Sequence, residues 1–196
     1  MRIFFITAAT VLFVAATCIL ACNSGKGNPK NTEGISELML DQQRKIERGH
    51  YLVTIMACND CHTPTIMTPH GPEKDTVHLL SGHPSNVSLP GFDQSITRSW
   101  ALFSMTNTAI AGPWGVSFAA NLTSDGTGIG NWSEQQFFKA FREGKFKGLD
   151  NARTLLPPMP WQIYSHVKDE DVSAIYAYLK STRPVHNVVP QPIAPK

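Results

Sequence analysis

Residues 57–64 read ACNDCHTP, which places two cysteines and a histidine within five positions. Half a zinc site, a thioredoxin-like redox pair and a haem c attachment site all use such a pattern. Zinc takes four ligands, or three and a water. The second cysteine pair of a zinc ribbon is missing from the chain, and its seven histidines contain no His-x-x-x-His partner. A thioredoxin-like pair follows a strand and opens a helix. Here the pair closes a helical pattern and runs into a proline-rich loop. Haem c attachment requires C-x-x-C-H, and Cys58-Asn59-Asp60-Cys61-His62 supplies it. Each thiol can add to one vinyl group of the porphyrin. The histidine after the second cysteine is then held over the iron as proximal ligand.

The N-terminus narrows the choice. Arg2 precedes a continuous apolar stretch from Ile3 to Leu20, which reads as an export signal. It ends in ILAC, residues 19–22, which resembles a bacterial lipobox with Cys22 as the lipidated residue. An uncleaved membrane anchor is the alternative, since the stretch is close to spanning length. Both place the body of the protein on the periplasmic side of a bacterial membrane, lipid-anchored or N-terminally anchored. More than one acyl chain gives firm tethering. Of four cysteines, Cys18 and Cys22 belong to the leader, so Cys58 and Cys61 are the pair left to the body. An exported compartment permits disulfides, but no further cysteines remain for a framework.

Length and composition, 196 residues with 42% hydrophobic and 16% charged, fit one globular domain. A formal charge of +2 argues against nucleic-acid or polybasic membrane binding. The reading divides the chain into a lipoprotein signal (1–22), a flexible linker (23–37), the main domain (38–185) and a proline-rich tail (186–196) lying extended on the surface. A helix is expected from near Ser36 to the cysteine pair, with Leu38, Ile46, Tyr51, Leu52, Ile55 and Met56 on one face. Residues 63–132 read as a long loop-rich insertion with room for a short hairpin. Ser133 and Gln136 form a capping box for a helix burying Phe137, Ala140 and Phe141, with Gly144 as its stop. A last helix, DEDVSAIYAYLKST, spans 169–182, with acids leading and bases trailing as the helix dipole prefers.

The segment LLPPMPW, residues 155–161, carries three prolines and reads as stiff and extended. It presents Met159 as the second axial ligand: the prolines preset the backbone, and the thioether suits iron. His166 is the rival ligand. Met39, Met56, Met67 and Met105 read as core or loop residues. His50, His70, His78, His83 and His186 read as surface or loop residues.

Taken together, CNDCH, PPMPW and the AIYAYLKS helix (174–181) resemble class I c-type cytochromes. RGHYLV (48–53), GPWG (112–115) and NLTSDGTGIGNWSEQQFFKAFREGK (121–145) resemble, more narrowly, the cytochrome c domains of bacterial membrane-bound alcohol, aldehyde and nicotinate-type dehydrogenases. The resemblance runs from Arg48 to the C-terminus. It implies a mainly α cytochrome c fold around one covalent haem c, carrying the loop-rich insertion. First and last helices would cross at Gly49, with Tyr178 or Tyr176 packed against it. Trp132 and Trp161 would line the haem or bond its propionates, core packing being the other role open to each. Lys168 stands where the family places a Ser or Thr cap, leaving Asp169 to cap. A single attachment motif departs from the several haems often carried by related subunits.

A His62/Met159 pair saturates the iron. The implied function is one-electron transfer, not catalysis, between redox partners: a dehydrogenase, an oxidase or another cytochrome. The alternatives are a five-coordinate haem enzyme or ligand sensor, and a metal-stabilised structural lipoprotein without haem.

Overall fold

The computed structural model describes residues 29–195. The signal, Cys22 and the first part of the linker lie outside the described residues. The chain divides into two units, residues 1–40 and 41–196. In the first, the described residues belong to helix α1 (Pro29–Ile55), where Ile35, Leu38, Met39 and Leu40 are exposed. Residues 29–37, part of the expected linker, are therefore helical. Proline is well tolerated in a first helical turn, and the strong helix formers of 37–40, Glu-Leu-Met-Leu, extend the helix. Among the described residues, no helix is long and apolar enough to cross a membrane.

In the second unit, α1 continues to Ile55 and is followed by the short α2 (Cys58–His62). Then come β1 (Thr65–Thr68), β2 (Gly71–Lys74), β3 (Leu102–Phe103), β4 (Ala109–Gly112), β5 (Gly115–Phe118), α3 (Glu134–Glu143), α4 (Trp161–Tyr164) and α5 (Asp169–Ser181). The buried face of α1 is Gly49, Leu52 and Val53, flanked by half-buried Ile46 and Met56. Tyr51 and Ile55 are exposed, against the expected face, which also left out Val53. The observed set keeps strict three- and four-residue steps.

Gly49 is where α1 meets α5. A Cβ there would lie 2.0 Å from the Ala174 carbonyl oxygen and 2.7 Å from Tyr178 Cβ. Tyr178, not Tyr176, is thus the aromatic at the crossing, with its ring 4.9 Å from His50. Arg48 bridges to Asp171 across the same contact at 2.9 Å. Around it, Leu52, Val53, Phe137, Phe141, Val172, Ile175 and Leu179 form the core.

Helix α3 starts and stops where the sequence indicates. Ser133 Oγ accepts from the Gln136 amide at 3.1 Å, and Gly144 closes the helix at φ 64°. The reciprocal half of the capping box is replaced: Gln136 Nε2 donates to the Lys147 carbonyl at 2.8 Å. Helix α5 differs from expectation. Lys168 occupies the cap position without a side-chain bond, and Asp169 is the first helical residue, paired with Arg142 at 2.6 Å.

The insertion holds more β structure than a single hairpin. Strands β1 and β2 form one antiparallel pair, and β3-β4-β5 a second antiparallel sheet. The tail also departs from a surface strand. It is extended, but Ile193 exchanges two backbone hydrogen bonds with Val116, at 2.8 and 3.0 Å. Asn187 is buried, its Nδ2 donating to the Ser81 and His83 carbonyls at 2.7 and 2.9 Å. Its Oδ1 accepts from the Ser85 amide at 3.0 Å. His83, read as a loop residue, is fully buried, with Nδ1 2.9 Å from Thr108 Oγ1 and its ring against Phe118. Asn187→Ala strands two buried carbonyls, those of Ser81 and His83, each costing about 1–3 kcal/mol, while the Ser85 amide belongs to an exposed residue and can turn to water. Urea unfolding should therefore show a loss of about 2 kcal/mol or more.

Candidate haem-attachment site

Ala57 separates α1 from α2. It adopts φ 58° and ψ 29°, a left-handed conformation unusual for a residue with a Cβ, and so redirects the chain. Positions 58, 61 and 62 of the new helical turn are related by three- and four-residue steps, so the two thiols and the imidazole share one face. Asp60, between the cysteines, points away. Its carbonyl accepts from Lys74 Nζ at 2.7 Å and Asn107 Nδ2 at 2.6 Å, so the insertion grips the outer side of the turn. Thr63 Oγ1 donates to Asn59 Oδ1 at 2.8 Å and accepts from the Leu80 amide at 2.9 Å.

Both cysteines are free and half-buried. Burial pushes the Cys58 thiol up to about 11 and also raises Cys61. At neutral pH they are thiols, not the thiolates of a disulfide-exchange pair. Among the described residues, no three His, Cys, Asp or Glu side chains gather as a metal site. The protonated thiols count against the redox-pair reading, and the lack of further ligands among the described residues counts against the zinc reading.

His62 is clamped twice. Its Nδ1–H donates to the Ala120 carbonyl at 2.8 Å, and its own carbonyl accepts from the Gly82 amide at 2.8 Å. Burial holds the imidazole below its ordinary range, so the ring is neutral. With the proton on Nδ1, Nε2 carries the lone pair and is the ligating atom. Gly82 also lets the segment after β5 that carries Ala120 approach: at φ 77°, a Cβ there would lie 2.4 Å from the Ala119 carbonyl oxygen.

Met159 is half-buried and follows a turn at Pro157–Pro158, closed by its amide donating to the Leu156 carbonyl at 3.3 Å. The expected stiff, extended run is thus a turn that leads into α4. Tyr164, at the end of α4, donates from its hydroxyl to the Met56 carbonyl at 3.3 Å and stacks on Phe141. Burial raises its pKa first and the neighbouring Cys58 and Cys61 thiols add to the rise, which places it beside the cysteines. The segment carrying Met159 is therefore tied to the chain just before Cys58. The sequence reading missed Tyr164: nothing local separates it from the core tyrosines of α5.

Trp132 and Trp161 do not form one cluster. Trp132 stands just before α3, with its carbonyl accepting from Tyr176 Oη at 2.6 Å. Trp161 sits at the other end of α3, its indole over Gly144, where a Cβ would approach to 2.4 Å. A helix of this length separates them by about 15 Å. His166 is exposed on the turn after α4.

Two neutral thiols on one face and a tautomer-fixed imidazole beside them have the chemistry that a haem c group needs. Among known proteins, the cytochrome subunit of fructose dehydrogenase from Gluconobacter japonicus is 33% identical over 135 residues, 68% of this chain and 20% of that protein. The chain is a homologue of dehydrogenase cytochrome c subunits. The gluconate 2-dehydrogenase cytochrome c subunit of Pantoea cypripedii is 32% identical over 146 residues, 74% of this chain and 24% of that protein. The cytochrome c subunit of a quinone-type alcohol dehydrogenase from Gluconobacter oxydans is 27% identical over 146 residues, 74% of this chain and 22% of that protein. The chain thus spans 20–24% of the length of these relatives. No family profile matches it.

Proposed function

We propose that this protein is an exported mono-haem cytochrome, tethered through Cys22, that carries single electrons from a dehydrogenase toward an oxidase or another cytochrome. The arrangement of Cys58, Cys61 and His62 on one helical face, with Nδ1 of His62 held by Ala120, carries the proposal. Cys58 and Cys61 would hold the haem covalently, and His62 and Met159 would fill both axial positions. The haem, when bound, supplies a reversible one-electron change at the iron. The protein's own residues fix the ligands, keep the imidazole neutral and exclude water. A thioether opposite a histidine favours the reduced iron and raises the potential, which suits a relay. Trp132 and Trp161, at the two ends of α3, would pack against the haem or bond its propionates. The relatives' names support a dehydrogenase as donor. Anchoring on the periplasmic side would raise the local concentration of membrane partners.

Optical spectroscopy tests this. The purified protein should give a haem c pyridine haemochrome, a low-spin ferric spectrum and the weak near-infrared sulfur–iron charge-transfer band. Met159→Ala should abolish that band and lower the potential by on the order of 100 mV, a fraction of the roughly 0.8 V that axial ligands span. A high-spin wild-type spectrum would favour a five-coordinate enzyme or sensor. Absence of haem would overturn both.

A further inference from the structure

We propose that Ser117 is a positioning residue for Met159, and that the β4–β5 hairpin with its GPWG turn holds the methionine loop in place. The proposal rests on the reading of Met159 as an axial ligand.

The loop is short of donors. Pro157, Pro158 and Pro160 have no amide hydrogen, and the Met159 amide is used within the turn. Such a loop can be held by its carbonyls, and Ser117 takes one of them: its Oγ donates to the Pro157 carbonyl at 2.7 Å. The Ile110 carbonyl also lies 3.3 Å from Ser117 Oγ. A hydroxyl has one hydrogen, and the shorter contact to Pro157 takes it. Trp114 completes the set, its Nε1–H donating to Ser117 Oγ at 3.3 Å.

The sequence 112–115 explains how the tryptophan gets there. A Cβ at Gly112 would lie 2.4–2.6 Å from the Trp114 ring, so a glycine lets the indole fold back over the end of β4. Gly115 then turns the chain at φ 90° into β5. Ser117 faces Ile110 across the β4–β5 register, and the neighbouring Val116 is bonded to Ile193 of the tail. With partners on both sides, β5 is a fixed support, and Ser117 is 7% exposed. The chain of contacts runs from Gly112 through Trp114 and Ser117 to Pro157, two residues from the sulfur.

The experiment is a titration of the ferric holoprotein with imidazole, which competes with the methionine, together with the near-infrared band. Wild type should show the band, and Met159→Ala should lose it. Failure there overturns the ligand reading and this proposal together. Ser117→Ala should weaken the band and bind imidazole about tenfold more tightly, the equivalent of one lost hydrogen bond. Trp114→Phe keeps the ring and removes the indole donor, and should shift binding in the same direction by about threefold. Wild-type band and imidazole affinity in a folded Ser117→Ala protein overturn the Ser117 role alone. If Ser117→Ala does not fold, unchanged binding in Trp114→Phe does so.

Discussion

A double variant with Cys58→Ala and Cys61→Ala should retain no haem after acid–acetone extraction, whereas the parent protein should retain it fully. The expectation follows from how α2 is built. The left-handed Ala57 starts a fresh helical turn at Cys58, and the three-residue step to Cys61 brings the second thiol onto the same face. Both thiols are held protonated by burial. That discourages disulfide formation between them and leaves them available for thioether bonds. Each single variant should keep covalent haem through its remaining cysteine, with a shifted pyridine haemochrome band from the unreacted vinyl group. Cys58 packs against the main core, so its truncation adds a small stability loss of about 1 kcal/mol. Extraction after expression with haem attachment machinery reads the bond itself, independently of electron transfer. Haem that resists extraction in the double variant would show that other residues hold it.

Local structure was legible where single residues at fixed offsets encode it. C-x-x-C-H spans the five residues of α2, so once helical its spacing sets its geometry. Ser133 and Gly144 mark the ends of α3 because capping depends on single residues at fixed offsets. The insertion was harder to read. Its strands are four residues or fewer, and β2 is Gly-Pro-Glu-Lys, with neither alternation nor β-branched side chains. Their pairing is set by tertiary contacts, to which local propensity is blind. Asn187 and His83 show the same limit. His83 sits in a stretch that reads as loop and Asn187 in a proline-rich tail, yet each bonds groups on segments distant in sequence. A polar residue that caps distant backbone carries no local signature. The exposed side of α1 misled for another reason. Tyr51 and Ile55 are apolar enough to read as core, but the stripe that α5 covers is set by the close approach at Gly49.

Gly49→Ala should destabilise the domain by about 2 kcal/mol or more, and Gly34→Ala on the same helix should not. Two terms oppose each other. Replacing glycine by alanine inside a helix is worth about 1 kcal/mol in propensity at either position. At Gly34 nothing lies within 4 Å of the added carbon, so that gain stands alone. At Gly49 the carbon would sit 2.0 Å from the Ala174 carbonyl oxygen and 2.6 Å from its carbon. These are backbone atoms of α5 and cannot rotate aside, so the helices must separate. Overpacking of this kind costs about 1–3 kcal/mol, occasionally more, and a clash with rigid backbone belongs at or beyond the upper end. The net loss should lower Tm by about 4–8 °C, since each kcal/mol moves a domain of this size by about 2–4 °C. Separation would also pull His50 from the Tyr178 ring and lengthen the Arg48–Asp171 bridge. Thermal melts of the two variants beside the parent decide the matter. Equal stability of Gly49→Ala and Gly34→Ala would mean that α1 and α5 do not cross at this contact.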